Sequence, residues 1–447
     1  MMPRQRLRHR RPDRARRTAY RILRAVTAEG AYANLETARV LRTAGLDARD
    51  AAFVTELVAG TCRLQGTYDA VLQAASGRDG FDADVRDALR LGSHQLLSMR
   101  VPPRAAIAAT VDLAGAEIGE RVVGVTNAVL RKVAATDLAG WVDRLSSDAD
   151  DIGRLALRTH HPRWIAEVYT DLLGVDAEQA LAANNVPPVT NLVVRPGRAT
   201  VAELEGEPDR FSPFGACRPG NPADVPAVAQ GRAGVQDEGS QLVAWALTRP
   251  EAPGGSWLDL CAGPGGKAAL LAGLAIEQGR TLVANEVQPH RAELVASALS
   301  GYGDGSGAPT VVVGDGTAGQ LPERDFARVM VDVPCTGLGA LRRRPESRWR
   351  RSAADVAALA RLQRRLLDAA LDAAAVGGLV AYVTCSPHPA ETTEVVAAVT
   401  AARSDVEVWP ASTALPEVPD SARGSAVQLW PHRHGTDAMF LALLRRR

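Results

Sequence analysis

Apolar residues recur at helical spacing from Thr18 to about Ala139, and this stretch shows no strand-like alternation. The clearest sets are Ala19, Ile22, Leu23 and Val26, then Phe53, Leu57 and Val58, then Leu89, Leu96 and Leu97. The pattern predicts a bundle of about six or seven helices over residues 18–142. Residues 143–235 contain more proline and glycine, and Thr190–Pro196 predicts a strand that proline ends. A small α+β module is therefore expected between the bundle and the rest of the chain.

Residues 236–447 alternate short, mostly β-branched apolar runs with helical stretches. The predicted strands are Trp257–Leu260, Thr281–Ala284, Thr310–Val313, Val329–Val331 and Leu379–Val383. This alternation is typical of a parallel sheet covered by helices. A last strand, Ala438–Leu443, is expected at the edge of the sheet. The predicted fold is α/β, with a Rossmann-like sheet at the C-terminus preceded by the all-α bundle and the small α+β module.

Polar groups stand where each of the parallel strands is predicted to end. They are Asp259 with the glycine-rich turn up to Lys267, then Asn285 and Glu286, then Asp315, then Asp332 with Cys335, then Thr384 with Cys385 and Ser386. Ligands of such sheets bind outside the carboxyl ends of the strands. A single glycine turn could be structural, and a single acid could cap a helix. Their occurrence together on one rim indicates a cofactor cleft.

The polar rim favours one type of cofactor. The turn matches neither G-x-G-x-x-G nor G-x-x-x-x-G-K-[ST], the usual nucleotide loops. Glu286 follows the turn by about 20 residues, which suits an acid that binds ribose hydroxyls. Acids predominate and no arginine lies in the turn, so S-adenosylmethionine fits better than a dinucleotide. Asp332 is then expected near the sulfonium or the amino group.

Cysteines and histidines are the candidate metal ligands and nucleophiles of this chain. The five cysteines are widely spaced and form no C-x-x-C pair, so no zinc cluster and no other metal site are expected. Cys335 and Cys385 stand out because they follow neighbouring strands. Cysteine is usually a small buried hydrophobe, but backbone N–H groups and a helix start near each could lower its thiol pKa. His160 and His161 have no third ligand nearby and are expected to pack or cap.

Composition adds little to this picture. The net charge is +1, with 46% hydrophobic and 23% charged residues, as in ordinary globular proteins. No apolar run approaches about 18 residues, and the basic N-terminus is not followed by an apolar core, so a cytoplasmic location and no membrane contact are expected. Residues 1–17 are rich in arginine and are predicted to be a disordered tail. The tail could contact nucleic acid or simply favour solubility.

Three motifs resemble those of the S-adenosylmethionine-dependent RNA 5-methylcytosine methyltransferases. They are Asp259–Lys267, Asp332–Gly339 and Tyr382–Ser386. The departures are mild: Gly263, Ala268 and Thr336 replace commoner residues, and Asp437–Phe440 reads Asp-Ala-Met-Phe instead of Asp-Gly-Phe-Phe, which could alter the floor of the site. The bundle resembles NusB-like RNA-binding domains in the stretches Asp50–Gly60, Leu89–Leu97 and Val125–Lys132.

The resemblance implies a methyl transfer to carbon 5 of a cytosine in RNA, with small-subunit ribosomal RNA as the expected substrate. It assigns Cys385 as the nucleophile at carbon 6 and Cys335 to release of the product. It assigns cofactor binding to Cys261, Ala262, Gly263, Pro264, Gly265, Gly266, Lys267, Glu286, Asp315 and Asp332. A monomer is expected.

Basic residues are the candidates for contacts with RNA. In the bundle they are Arg63, Arg131 and Lys132, and Leu341–Arg344 is expected to meet RNA phosphates unless it is a solvated helix start.

Two other functions remain open at this point: a non-catalytic RNA-binding protein on a methyltransferase scaffold, and a 5-methylcytosine methyltransferase that acts on transfer RNA. Methylation of an amino group is disfavoured, because Asp332-Val-Pro-Cys335 lacks the aromatic residue of that class.

Overall fold

The computed structural model describes residues 12–303, 305, 307–319 and 321–447. The chain forms two compact units. The helical unit comprises the described residues up to Val186 together with Leu341–Arg351, and the sheet unit comprises Pro187–Ala340 and Ser352–Arg447. Among the described residues, no helix has the length and apolar character needed to cross a membrane.

The α-helices of the described chain are α1 (Arg14–Ala28), α2 (Ala33–Ala44), α3 (Ala48–Arg63), α4 (Gln65–Ser76), α5 (Ala83–Leu97), α6 (Pro103–Glu117), α7 (Val123–Val133), α8 (Leu138–Ser146), α9 (Asp151–Thr159), α10 (Arg163–Leu173), α11 (Ala177–Ala183), α12 (Pro226–Ala229), α13 (Glu238–Thr248), α14 (Gly266–Glu277), α15 (Pro289–Leu299), α16 (Ser347–Arg350), α17 (Ala353–Ala373), α18 (Thr393–Ala402) and α19 (Pro431–His434). The strands are β1 (Asn191–Val194), β2 (Glu207–Pro208), β3 (Gly215–Cys217), β4 (Ala233–Val235), β5 (Trp257–Asp259), β6 (Leu282–Glu286), β7 (Thr310–Val313), β8 (Phe326–Asp332), β9 (Ala374–Thr384), β10 (Val406–Trp409), β11 (Ala422–Arg423), β12 (Ala426–Gln428) and β13 (Phe440–Arg446).

The helical unit begins earlier than the sequence predicted. Asp13 caps α1 by accepting a hydrogen bond from Arg16 N at 2.9 Å, so Arg14–Arg17 are helical. Arg17 also forms an ion pair with Glu117 of α6. The prediction of a disordered tail over residues 1–17 is therefore wrong for Arg14–Arg17, and residues 1–11 lie outside the described part of the chain. The predicted apolar face of α1 is confirmed, because Ala19, Ile22, Leu23 and Val26 are all buried.

The helical unit also continues beyond the predicted end of the bundle at residue 142. Helices α9, α10 and α11 belong to it, whereas β1 to β4 belong to the sheet unit. Residues 143–235 therefore do not form a single module. The strand predicted over Thr190–Pro196 is present as β1, in a small antiparallel sheet of order β2-β3-β1-β4.

The segment Leu341–Arg351 is held in the helical unit by three consecutive side chains. Arg348 is 0% exposed and donates to Asn185 Oδ1 at 2.7 Å and to two backbone carbonyls. Trp349 Nε1 donates to Cys62 O at 2.8 Å, and Arg350 Nη2 donates to Val26 O at 2.6 Å. These contacts explain why an arginine-rich stretch is anchored among helices instead of being fully solvated.

The main sheet of the sheet unit has the order β11-β12-β13-β9-β8-β5-β6-β7, and β10 also pairs with β13. The neighbouring pairs among β5 to β9 are parallel, as predicted. The last strand is not an edge strand, because β13 pairs antiparallel with β9 on one side and with β10 and β12 on the other. Apolar side chains of α13, α14 and α15 cover one face of the sheet, and those of α17 and α18 cover the other.

Candidate active site

The glycine-rich turn joins β5 to α14. Gly265 has φ +107°, and an added Cβ there would lie 2.7 Å from Ala298 Cβ, so a side chain is excluded at this position. Asn285 Nδ2 donates to Leu260 O at 3.0 Å and to Gly314 O at 3.1 Å. One amide thus ties together the chain just past β5 and just past β7. The first three polar strand ends predicted from the sequence lie side by side.

Glu286 is the buried acid of this rim, with 3% of its surface exposed. Its carboxylate accepts hydrogen bonds from Gly263 N at 3.1 Å and Gln288 N at 3.0 Å, and Arg291 Nη1 lies 3.4 Å away. An added Cβ on Gly263 would lie 2.1 Å from Glu286 Oε2, so the turn and the acid are in close contact. A fixed carboxylate beside a glycine turn and a helix start is the donor and acceptor set that fits an adenosyl ribose.

Asp315 and Asp332 complete the acidic rim beyond β7 and at the end of β8. Asp315 is exposed, and its hydrogen bonds from the backbone N–H and hydroxyl of Thr317 lower the pKa of its carboxyl. Asp332 is half-buried and binds Lys267 Nζ at 2.8 Å. Burial would lower the pKa of the Lys267 ammonium, but the Asp332 charge and hydrogen bond, together with Cys385, raise it. Lys267 therefore stays a cation next to Asp332.

Cys335 and Cys385 meet at the same rim. Their Sγ atoms are 3.4 Å apart, both side chains are partly buried, and neither forms a disulfide. Gly339 N donates to Cys385 O at 2.8 Å, and Ala438 N donates to Gly339 O at 2.9 Å, so the two cysteine loops are joined to each other and to the chain before β13. The segment Asp437–Phe440, which carries the Asp-Ala-Met-Phe sequence, is thus hydrogen-bonded to the Cys335 loop, and its Ala438 and Met439 are buried.

The pKa of the Cys335 thiol is raised, whereas the sequence suggested that it would be lowered. Its hydrogen bond with Cys385, burial and the nearby charges of Cys385 and Glu391 raise this pKa well above its ordinary value. Cys385 instead interacts with the Lys267 ammonium, whose pKa it helps to raise. The pair is therefore asymmetric: Cys335 holds its proton, and Cys385 is the better candidate for a nucleophile.

Two buried carboxyl groups at this site were missed or underrated from the sequence. Glu391 is fully buried and accepts hydrogen bonds from the residues that follow both cysteines. Asp259 is 1% exposed, and burial raises the pKa of its carboxyl to about 7, with the charge of Asp332 adding to the effect. Asp259 stands at a predicted strand end, so its position could be read from the sequence. Glu391 carries no motif of its own.

The raised pKa of Asp259 predicts a pH dependence of stability. An unfolded Asp titrates near pH 3.9, so between about pH 4 and 7 the folded chain holds a proton that the unfolded chain has lost. The thermal midpoint should fall as pH rises through this window. In Asp259→Asn the side chain is neutral throughout, and we expect the fall to become shallower by a few degrees. Thermal unfolding of the cofactor-free protein at several pH values measures this.

A control variant and a second buried acid define the change of slope expected in this pH experiment. Asp315→Asn should leave the slope between about pH 4 and 7 unchanged, because the pKa of Asp315 is lowered rather than raised. Part of the slope should remain in Asp259→Asn, because burial also raises the pKa of Asp209 to about 7. Equal slopes in the parent protein and Asp259→Asn would show that Asp259 is ionised in the folded chain.

The basic residues proposed to contact RNA have different positions. Arg63 is only 6% exposed, so its proposed role in RNA contact is wrong. Arg131 and Lys132 are exposed in the last turn of α7 and remain candidates. Within Leu341–Arg344, Leu341 and Arg342 are buried, which contradicts their contact with phosphates, whereas Arg344 is exposed and its guanidinium lies 4.7 Å from the ring centroid of Tyr32.

The paired histidines have structural roles. His160 has φ 59° and caps the C-terminus of α9, which confirms the predicted capping. His161 is 4% exposed, and its Nδ1 lies 2.6 Å from Thr159 O. Burial lowers the pKa of His160 to about 4 and that of His161 well below its ordinary value. In the part of the chain that the structure describes, no group of three or more His, Cys, Asp or Glu side chains could hold a metal ion.

Comparisons with known proteins show the family of this chain. Residues 246–445 match the family 16S rRNA methyltransferase RsmB/F, and residues 13–135 match the NusB family. A Mycobacterium tuberculosis H37Rv protein with the provisional name methyltransferase Rv1407 is 48% identical over 462 residues, covering 100% of both chains. Ribosomal RNA small subunit methyltransferase B of Pseudomonas syringae pv. tomato is 33% identical and covers 79% of each chain.

Solved structures show the same fold. The crystal structure of PH0851 superposes with a TM-score of 0.81 at 23% identity, over 98% of this chain and 99% of that one. NSun6 from Pyrococcus horikoshii with SFG has a TM-score of 0.54 at 18% identity, over 64% of this chain and 98% of that one. From the relatives above, this chain is a member of the RsmB/F family of 16S rRNA methyltransferases, which depend on S-adenosylmethionine, and it carries a NusB domain at its N-terminus.

Proposed function

We propose that this chain methylates carbon 5 of a cytosine in small-subunit ribosomal RNA, with Cys385 as the nucleophile and Cys335 as the residue that releases the product. The observation that carries this proposal is the pair of reduced cysteines, with Sγ atoms 3.4 Å apart, on the rim that also bears the glycine turn and the acids. Residues 261–267, Glu286, Asp315 and Asp332 would hold the cofactor.

The chemistry explains why two thiols are needed. Carbon 5 of cytosine is a poor nucleophile while the ring is aromatic. A Cys385 thiolate that bonds to carbon 6 turns the ring into an enamine, whose carbon 5 is electron-rich. When bound, S-adenosylmethionine supplies an electrophilic methyl group. In the release step, a Cys335 thiolate takes the proton from carbon 5. The electron pair of that C–H bond then expels the Cys385 sulfur as a thiolate and restores the aromatic ring.

The thiol of Cys335 can lose its proton to solvent once Cys385 is bonded to carbon 6, because the hydrogen bond and the charge of Cys385 then no longer raise the pKa of Cys335. The Lys267 ammonium favours a thiolate at Cys385, which is the form that adds to carbon 6. Cys335 lies close enough to reach the carbon next to the one that Cys385 bonds. Asp332 would contact either the cytosine amino edge or the methionyl part of the cofactor. The base must be unstacked for a thiol and a methyl donor to approach it, so a single-stranded or loop cytosine is the expected target.

A labelling experiment tests the proposal. The purified full chain is incubated with methyl-labelled S-adenosylmethionine and either ribosomal or transfer RNA, each from cells that lack the gene. We expect label in 5-methylcytidine from small-subunit RNA, identified by mass spectrometry of the nucleosides and located by bisulfite sequencing. Label in transfer RNA alone would move the substrate to that class. Label in another nucleoside, or no label in any RNA, would contradict the cytosine-C5 chemistry.

A further inference from the structure

Glu391 is a buried carboxylate with no role in the chemistry described above. It ends the 3₁₀ helix Pro389–Glu391 after β9 and is 0% exposed. Its oxygens accept hydrogen bonds from Thr336 N at 2.8 Å, Gln363 Nε2 at 3.1 Å, Ser386 Oγ at 2.7 Å and the Thr336 hydroxyl. A carboxylate with this many donors remains tolerable in the interior, whereas each donor would be left without its acceptor if the carboxylate were removed.

The donors belong to both cysteine loops. Thr336 directly follows Cys335, and Ser386 directly follows Cys385. The two hydroxyls are also 3.2 Å from each other. Glu391 therefore fastens the backbone beside one thiol to the side chain beside the other.

Gln363 of α17 extends the same network. Its Nε2 donates both to Glu391 and, at 2.9 Å, to Pro334 O, the residue before Cys335. Residues on both sides of Cys335 are thus linked to Glu391, directly or through one amide. The charge of Glu391 is also among the causes, after the hydrogen bond with Cys385 and burial, that raise the pKa of the Cys335 thiol.

We propose that Glu391 is a positioning residue that holds the Cys335 thiol where it can release the product from Cys385. The inference rests on the proposed function, because it concerns the second half of that reaction. Cys335 must act on the carbon that neighbours the Cys385 bond, so the spacing of the two sulfurs decides whether it can do so. A displacement of about 1 Å at a reacting group can cost on the order of 10²-fold in rate.

Glu391→Gln is the central variant. The glutamine amide offers one acceptor oxygen, and its NH2 group faces two of the groups that donate to Glu391. The two cysteine loops should therefore shift, although the volume of the side chain is kept. We expect formation of the methylated RNA adduct, measured in a single turnover, to stay within about threefold of the parent protein. Release of the RNA should slow by about 10- to 100-fold. Covalent protein–RNA complex should then accumulate on denaturing gels during steady-state turnover.

Three further proteins complete the experiment. Glu394→Gln makes the same change at an exposed position of α18 and should release RNA normally. Ser386→Ala removes one donor and keeps the carboxylate, so it should slow release in the same direction but less, which covers the case in which Glu391→Gln folds poorly. Cys335→Ala marks complete loss of release. The thermal midpoint and the Kd for S-adenosylhomocysteine are measured for each.

The outcomes separate this inference from the proposed function. If Cys335→Ala retains RNA while Glu391→Gln and Ser386→Ala release it at the parent rate, Glu391 does not position Cys335 and the proposed function stands. Equal losses of adduct formation and release in both network variants would likewise make Glu391 a general structural residue and overturn the inference. If Cys335→Ala retains no RNA, the proposed function fails and this inference fails with it.

Discussion

Cys385→Ala should lower methyl transfer to RNA by at least about 10³-fold, because no sulfur remains to add to carbon 6 and the cytosine ring stays unreactive. Cys335→Ala should also lose turnover, but for a different reason. In that variant Cys385 can still bond to the base, and the bond is not released. We therefore expect Cys335→Ala to form a covalent RNA complex that survives denaturing electrophoresis, and Cys385→Ala to form none.

The double variant and a control make the assignment of roles unambiguous. Replacing both cysteines should abolish the complex, since the trapped bond belongs to Cys385. Cys217→Ala, in the small sheet of the same unit, should turn over normally and retain no RNA. If Cys385→Ala traps RNA and Cys335→Ala does not, the two roles are exchanged. If neither single variant traps RNA, the covalent mechanism is incorrect for this chain.

Elements whose pattern is local could be predicted from the sequence. Short apolar runs that alternate with helical stretches predicted β5 to β9. The glycine-rich motif predicted the turn after β5, and the acids were found because they lie at or just after the ends of the predicted strands. The meeting of Cys335 and Cys385 followed from the same logic, because adjacent parallel strands bring their carboxyl ends together. What the sequence could not supply was the raised pKa of Cys335, which depends on its hydrogen bond with Cys385, on burial and on the charges of Cys385 and Glu391.

Elements that depend on long-range pairing were predicted less well. The last strand was placed at the edge because it is last in the sequence, yet β13 lies between β9 and the pair β10 and β12. Its neighbours are fixed by antiparallel pairing across long stretches of chain, which no local pattern encodes. Glu391 is a similar case. A lone glutamate in a short helical turn is usually solvated, and its importance appears only when its donors are known.

Arg348, four residues past the basic run Leu341–Arg344, has an environment that composition alone does not predict. A basic stretch ordinarily indicates a solvated surface that could meet phosphates. Arg348 is nevertheless fully buried, because His160, directly after α9, and Asn184 and Asn185, directly after α11, supply three oxygen acceptors. Those acceptors lie more than a hundred positions away in sequence, so composition alone predicts the wrong environment for Arg348.

Arg348→Ala should destabilise the helical unit by roughly 3 kcal/mol or more. The guanidinium donates to His160 O at 3.0 Å, Asn185 Oδ1 at 2.7 Å and Asn184 O at 3.2 Å. Each buried acceptor left without a donor costs about 1–3 kcal/mol, and the vacated volume adds a further cost. Burial already lowers the pKa of Arg348 to about 9, with the charge of Arg63 acting in the same direction, so the hydrogen bonds must outweigh a real desolvation cost.

Thermal unfolding of the full chain, combined with hydrogen exchange of the backbone amides in α9 and α11, measures this loss and locates it. Arg344→Ala is the matched control: Arg344 lies on the same segment but is exposed, and its guanidinium stacks on Tyr32, a contact worth about 0.5–1 kcal/mol. Arg348→Lys should recover little, because an ammonium cannot reproduce the planar set of donors that reaches all three oxygens. Equal effects of Arg348→Ala and Arg344→Ala would mean that the buried guanidinium contributes no net stability, and that its hydrogen bonds only offset the cost of removing its charge from water.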